Sequence, residues 1–269
     1  IKTAPIILFV GINVVLFSAG ALLWEPEVKK GTIITDSPPE EYLYGGGIIE
    51  NTTIFLTSNI YVSPSTTLRI ENSTIVFNMS FNGEYGIYVD EGGRVEILDS
   101  RLMSNNSDFG YRFEIHGEGY LENCVIQHLY WNESRRNGDG GLEIYSSDVH
   151  VINCTVLDCR TNGLLIANSS PLIERSTFRN CRDDALEVQD ASPVITNSTF
   201  ENNEWAIMVF PESMPVISGC RIVNNSYGVT IVDTAGRIEN TYFENNSVAA
   251  IWLDGSADAE MSGNSFQHN

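Results

Sequence analysis

Basic residues are scarce. Only 15 Lys and Arg stand against 35 Asp and Glu, a formal net charge of −20 over 269 residues. Phosphate backbones are held by clustered Lys and Arg, so this balance argues against a nucleic-acid partner. Histidine is sparser still, with four residues at His116, His128, His150 and His268. No close-spaced Cys or His pairs suggest zinc, and no metal site is assigned. A glycine-rich phosphate loop between a strand and a helix is also missing. Five cysteines is an odd number, so at least one is unpaired or pairs with another chain.

Apolar residues make up 42% of the chain, enough for most of it to fold. One run stands apart. Residues 4–24, APIILFVGINVVLFSAGALLW, contain no charge and are long enough to cross a bilayer as a helix. Lys2 precedes the run, so the positive-inside tendency places the rest of the chain outside the cytoplasm. A cleaved signal peptide ending near Ser18-Ala19-Gly20 is the alternative, and it gives the rest of the chain the same location. The expectation is a membrane partner through residues 4–24 and a single-pass protein at the cell surface. Residues 1–24 form the anchor, 25–45 a linker and N-terminal cover, and 46–269 the folded body. Outside the cytoplasm, ten Asn-x-Ser/Thr sequons become glycosylation candidates, at Asn51, Asn72, Asn78, Asn105, Asn132, Asn153, Asn168, Asn197, Asn224 and Asn245. They also read as by-products of a repeat rich in Asn, Ser and Thr.

That repeat organises the chain. INCTV, ERSTF, TNSTF, SGCRI, ENTYF and SGNSF end at Val156, Phe178, Phe200, Ile222, Phe243 and Phe266, in steps of 22, 22, 22, 21 and 23 residues. Earlier units, ENTTI, ENSTI, LDSRL and ENCVI, end at Ile54, Ile75, Leu102 and Ile126. Each unit holds a second alternating run, as in Leu142/Ile144, Leu164/Ile166 and Leu186/Val188. Period-two alternation means half-buried strands. The outward positions between those pairs hold Glu143, Leu165, Glu187, Met208, Thr230 and Trp252. A Gly or Ala opens most of these runs, which suits a tight bend. Units this short close no core alone; stacked, they share one.

In NSTF, Phe200 is expected to point inward and stack on its equivalents. Ser198 joins an inward column of small residues with Cys124, Cys154, Ser176, Cys220 and Thr241. Asn197 and Thr199 face outward on the sheet. Asn202-Asn203, Asn224-Asn225 and Asn245-Asn246 mark a turn able to form an amide ladder. Cys159 and Cys181 share that position two coils earlier, where a disulfide is conceivable though parallel Cβ vectors disfavour it.

The spacing and strand period of residues 45–269 resemble the right-handed parallel β-helix repeat proteins, the group of pectate lyases and carbohydrate-binding and sugar-hydrolase β-helices. The resemblance implies an all-β solenoid of about ten coils, preceded by the N-terminal hydrophobic helix. At about 4.8 Å per coil the rod is roughly 45–50 Å long. The last coil is read as open, so that either the native chain continues or another copy or subunit covers that end.

For chemistry, the richest acidic cluster is Asp183, Asp184 and Glu187. Paired carboxyls can act as acid and base on a glycosidic bond. Polygalacturonases of the same fold carry an Asp-Asp pair near such a bend, with a further Asp, a His-Gly and an Arg-Ile-Lys in neighbouring coils. Here no His lies between glycines, and the nearest strings are Arg69-Ile70-Glu71, Arg221-Ile222-Val223 and Arg237-Ile238-Glu239. A lyase would need Ca²⁺ on these carboxylates and a base such as Arg160 or Arg182; no other cofactor is expected. The insertion at residues 128–140 is the ligand-binding candidate. Tyr130 and Trp131 suit sugar rings, and Arg135 and Arg136 suit acidic groups.

Three classes fit. The favoured one is a non-catalytic, membrane-anchored surface protein with a structural, adhesive or glycan-contacting role. The others are a carbohydrate-active enzyme, lyase or glycoside hydrolase, and an assembly subunit packed through its N-terminal helix.

Overall fold

The computed structural model describes residues 46–130 and 140–269 in full, and the backbone of 32–34 and 43–44. The anchor expected at 4–24 lies outside the described residues. Among those described, no helix is long and apolar enough to cross a membrane.

The strands form three parallel sheets of eleven, ten and ten strands, here called A, B and C, and each coil of the chain contributes one strand to each. This is the all-β solenoid of about ten coils that the repeat implied. Within the stretch read as linker and cover, Thr32–Ile34 pairs with Thr53–Phe55 in sheet A. Leu43–Tyr44 pairs with Ile60–Tyr61 in sheet B.

Register follows the repeat. Val156, Phe178, Phe200, Ile222, Phe243 and Phe266 are successive partners in sheet A. The rings of Phe178 and Phe200 stack at 5.0 Å. Every second side chain points into one continuous core that runs the length of the rod. Parallel pairing at this spacing places like residue on like, so one apolar choice per coil builds a column.

The small inward column does more than fill space. Ser176 Oγ accepts the Cys154 N–H at 3.1 Å and donates to the Glu174 carbonyl at 3.0 Å. Ser198 Oγ accepts the Ser176 N–H at 3.1 Å and donates to the Thr196 carbonyl at 2.9 Å. Each of these two hydroxyls thus satisfies a buried amide of the coil before it, an amide that would otherwise carry a desolvation cost. Cysteine fills the same column at Cys124, Cys154 and Cys220. All five cysteines are buried free thiols, Cys159 and Cys181 among them.

Turns between strands rest on left-handed residues. Of the twenty described non-glycine residues with positive φ, eleven are Asn, the residue that tolerates this region best after Gly. Seven of the ten sequon asparagines are among them: Asn51, Asn72, Asn153, Asn168, Asn197, Asn224 and Asn245. Backbone conformation therefore accounts for most sequons without reference to glycans. It also corrects one expectation. Asn197, with φ 51°, sits in the turn between sheets C and A rather than on the sheet.

The Asn pairs divide their roles. Asn203, Asn225, Asn246 and Asn269 form an interior amide ladder at 2.7–3.1 Å. Asn202, Asn224 and Asn245 carry the left-handed backbone beside it. The glycines that open sheet-B strands are selected by space more than by bend. A Cβ on Gly228 would lie 2.1 Å from the Ala250 carbonyl oxygen of the next coil.

Candidate functional site

The outer faces of the sheets differ. On sheet C, Arg69 pairs with Glu96 at 2.9 Å, Arg94 with Glu96 at 2.9 Å and Arg94 with Glu118 at 2.5 Å, an ordinary solvated charge ladder. On sheet B four outward residues are buried. Glu143 is 3% exposed, Leu165 1%, Glu187 4% and Thr230 5%. The outward assignment of these positions holds, since they alternate with inward Leu and Ile; their low exposure was not anticipated.

Register sets them in one column along the rod. Tyr61, Tyr88, Glu114, Glu143, Leu165 and Glu187 follow one another. Met208, Thr230 and Trp252 continue the same line. Aromatic residues occupy both ends, with carboxylates between.

At the first end, the rings of Tyr61 and Tyr88 stack at 5.0 Å, and the Arg112 guanidinium lies 5.7 Å over the Tyr88 ring. Arg112 also forms an ion pair with Glu114. Beside them His116 stacks on Tyr145 at 4.5 Å, and the Tyr145 hydroxyl donates to Glu143 Oε2 at 2.8 Å. The His116–Tyr145 stack borders an open cleft of about 640 Å³ at the bend from sheet B to sheet C, lined also by Asp90, Glu118 and Asp148.

The centre holds the acidic cluster. Glu187 Oε1 accepts from Gln189 Nε2 at 2.5 Å, and Glu187 Oε2 accepts from Asn162 Nδ2 of the preceding coil. Asp184 is 8% exposed, and its Oδ1 is buried with no hydrogen-bond partner. Burial, reinforced by the charges of Glu187, Asp183 and Glu204, pushes the Asp184 carboxyl well above the usual carboxylate range. Asp183 is raised also, by burial, with Arg182 opposing. Asp184 and Glu187 therefore differ. One is a desolvated carboxyl whose neutral form is favoured; the other receives amide hydrogens at both oxygens.

Arg160 and Arg182 line a separate cleft of about 430 Å³ beside the bend from sheet A to sheet B, with His128, Asp158 and Asn180. Arg160 donates to the Asp108 carbonyl at 2.7 Å. Among the described residues no three His, Cys, Asp or Glu side chains converge as a metal site, Asp183, Asp184 and Glu187 included. Tyr130 is half-buried, its ring packed over Gly83. Trp131, Arg135 and Arg136 lie outside the described residues, so the insertion's sugar-binding reading stands on its sequence alone.

The sequence reading missed Arg112, Glu114, His116, Tyr145 and Asn162. Extending the sheet-B alternation back one coil, to RFEI at Arg112–Ile115, places Glu114 in the outward column. Asn162 carried no such signal, because it reaches Glu187 from the bend before a strand.

A family model described as a right handed beta helix region matches residues 42–204 and 140–269. Among solved structures, the mannuronan C-5 epimerase AlgE4 A-module of Azotobacter vinelandii superposes with TM-score 0.55 at 15% identity, over 88% of this chain and 84% of that one. The catalytic domain of a GH87 α-1,3-glucanase gives 0.48 at 14%, over 89% and 55%. The A. vinelandii AlgE6 A-module gives 0.43 at 13%, over 88% and 91%. At these identities the likeness extends to the fold alone. No curated protein sequence matches the chain.

Proposed function

The chain belongs to the right-handed β-helix family, and from that fold and its sheet-B face we propose that it binds a polysaccharide strand along sheet B and acts on it by acid–base chemistry. The observation that carries the reading is Asp184, a buried carboxyl whose Oδ1 has no partner among the described residues and which lies close enough to Glu187 to feel its charge. A carboxyl whose pKa is raised by burial is suited to donate its proton to an oxygen leaving a glycosidic bond. A nearby carboxylate can take the proton of the attacking water. Fold likeness to an enzyme named for mannuronan makes polysaccharide the first substrate class to test, by analogy only. The uncharged run at 4–24 would tether this face outside the cytoplasm, and residues 130–136 would add a sugar contact.

A non-catalytic glycan-contacting role is the second reading. The bonds that Asn162 and Gln189 make to Glu187 favour it, because they fit a structural carboxylate equally well. Incubation with a panel of neutral and acidic polysaccharides, with and without Ca²⁺, separates the two. Product formation that falls at least 100-fold in Asp184→Asn and Glu187→Gln supports acid–base chemistry. Turnover on no polysaccharide, or turnover unchanged in both variants, refutes it.

A further inference from the structure

Beyond the carboxyl pair, sheet B carries a second group of outward residues. Strands Trp205–Val209, Tyr227–Val232 and Ala249–Asp254 are consecutive in the sheet. Trp205 and Tyr227 are register partners whose rings stack at 5.3 Å, only 6° from parallel. Stacking between coils sets those ring planes across the rod axis. Trp252 meets Tyr227 at 6.1 Å with its plane turned by 88°. Its ring therefore lies along the axis, on the last described strand of sheet B.

On the strand of Tyr227 stands Thr230, register partner of Trp252. It is 5% exposed, and its Oγ1 is buried without a hydrogen-bond partner. A hydroxyl so placed lacks a bond that water or protein normally supplies. Met208 pairs with Thr230 on the other side. Asp184 is the register partner of Trp205, so its own unpartnered oxygen adjoins the same group.

We propose that Trp252, Tyr227, Trp205 and Thr230 form a subsite for a neutral hexopyranose unit, part of the strand that the preceding reading places on sheet B. That reading supplies the direction of the strand, and these residues select the unit bound. An indole lying along the axis offers a flat face to the C–H face of a pyranose in a strand running the same way. Aromatic faces of this kind hold ligands with little ordering of the protein. The Thr230 hydroxyl would gain a partner from a sugar hydroxyl. Neutrality follows from charge. No Lys or Arg occurs within these three strands, Asp184 and Asp254 flank them, and the whole chain carries −20. A uronate carboxylate would meet like charge with no Lys or Arg on these three strands to hold it.

The test titrates the full chain with linear hexasaccharides of glucose and of mannose, and with a hexauronate, by calorimetry and tryptophan fluorescence. Turnover is followed on the same samples. Binding of a neutral hexasaccharide that quenches fluorescence, weakens at least tenfold in Trp252→Ala, severalfold in Thr230→Val, and recovers in Trp252→Phe is the expected result. In any turnover the Trp252→Ala loss falls on KM, with kcat held. Binding unaffected by Trp252→Ala overturns the subsite, as does preference for the hexauronate. Concentration-dependent self-association abolished by Trp252→Ala, with no sugar effect, overturns it in favour of a contact between copies. Turnover independent of Trp252 sinks the subsite but spares the acid–base reading. Trp252-dependent binding without turnover does the reverse.

Discussion

Replacing Asn225 by Ala removes the middle of the interior amide ladder. Its Oδ1 accepts the Asn203 backbone N–H at 3.0 Å and the Asn203 side-chain amide at 3.0 Å. Its Nδ2 donates to the Phe200 carbonyl at 3.1 Å, the Val223 carbonyl at 3.1 Å and Asn246 Oδ1 at 3.1 Å. The residue is 2% exposed, so no water replaces these bonds in place. The Asn203 N–H is left as a buried donor without an acceptor, which costs about 1–3 kcal/mol, and each further bond lost removes roughly 0.5–1.5 kcal/mol. With two Nδ2 hydrogens for three acceptors, three further bonds count, and the expected loss is about 3–7 kcal/mol, as for other broken buried networks. Asn224→Ala is the control. Asn224 is exposed, and its main task is a φ of 57°, so Ala there costs only about 1–2 kcal/mol. Urea unfolding followed by tryptophan fluorescence and circular dichroism gives the midpoints, provided the slopes agree between variants. A midpoint shift for Asn225→Ala no larger than that for Asn224→Ala would refute the ladder's energetic role.

Two further outcomes rest on buried titratable groups. The folded pKa of Asp184 is raised above its unfolded value, so its contribution to stability is whole below the unfolded pKa, near about 4, and is lost as pH rises through the folded pKa. Asp184→Asn escapes that loss. Its melting temperature should gain on the wild type as pH climbs from about 4, with a slope of at most about 1.4 kcal/mol per pH unit; parallel pH profiles would count against a desolvated carboxyl. The thiols should be inert in the native state, since all five are buried and burial pushes Cys220 up to about 11. A disulfide-exchange reagent should titrate none before unfolding and five afterwards, and rapid native labelling would show that the core opens.

Fold and register were legible because parallel stacking makes one inward choice per coil visible as a column in sequence. Phe178, Phe200, Ile222 and Phe243 fall on the same position at intervals of 22, 22 and 21 residues, and the structure pairs them in that order as the spacing requires. Smallness was legible at Ser176 and Ser198, but their hydrogen bonds were not. Each bond joins residues 22 apart, and only register shows which amide a hydroxyl meets. Asn197 was misplaced for a related reason. Strand alternation was continued one residue into a turn whose left-handed backbone has no mark in the sequence except the Asn itself.

The candidate site was half legible, and the reason lies in the division of labour between the two faces of a strand. Inward residues such as Leu186 and Val188 are dictated by the core and say nothing about function. Outward residues of sheet C are free to vary, and charged pairs fill them. Outward residues of sheet B obey neither rule. Glu143, Glu187 and Thr230 are polar and nearly as buried as the core. Burying polar groups outside the core brings no packing gain that an apolar side chain would not exceed. Their burial is therefore the anomaly a functional surface would produce. Asp183, Asp184 and Glu187 could be picked from sequence as a local cluster. The outward positions of Glu143 and Thr230 were also read from the alternation, and Glu114 follows from it one coil earlier, but their burial was not legible, since the column that encloses them spans more than a hundred residues of chain and exists only once the coils are stacked.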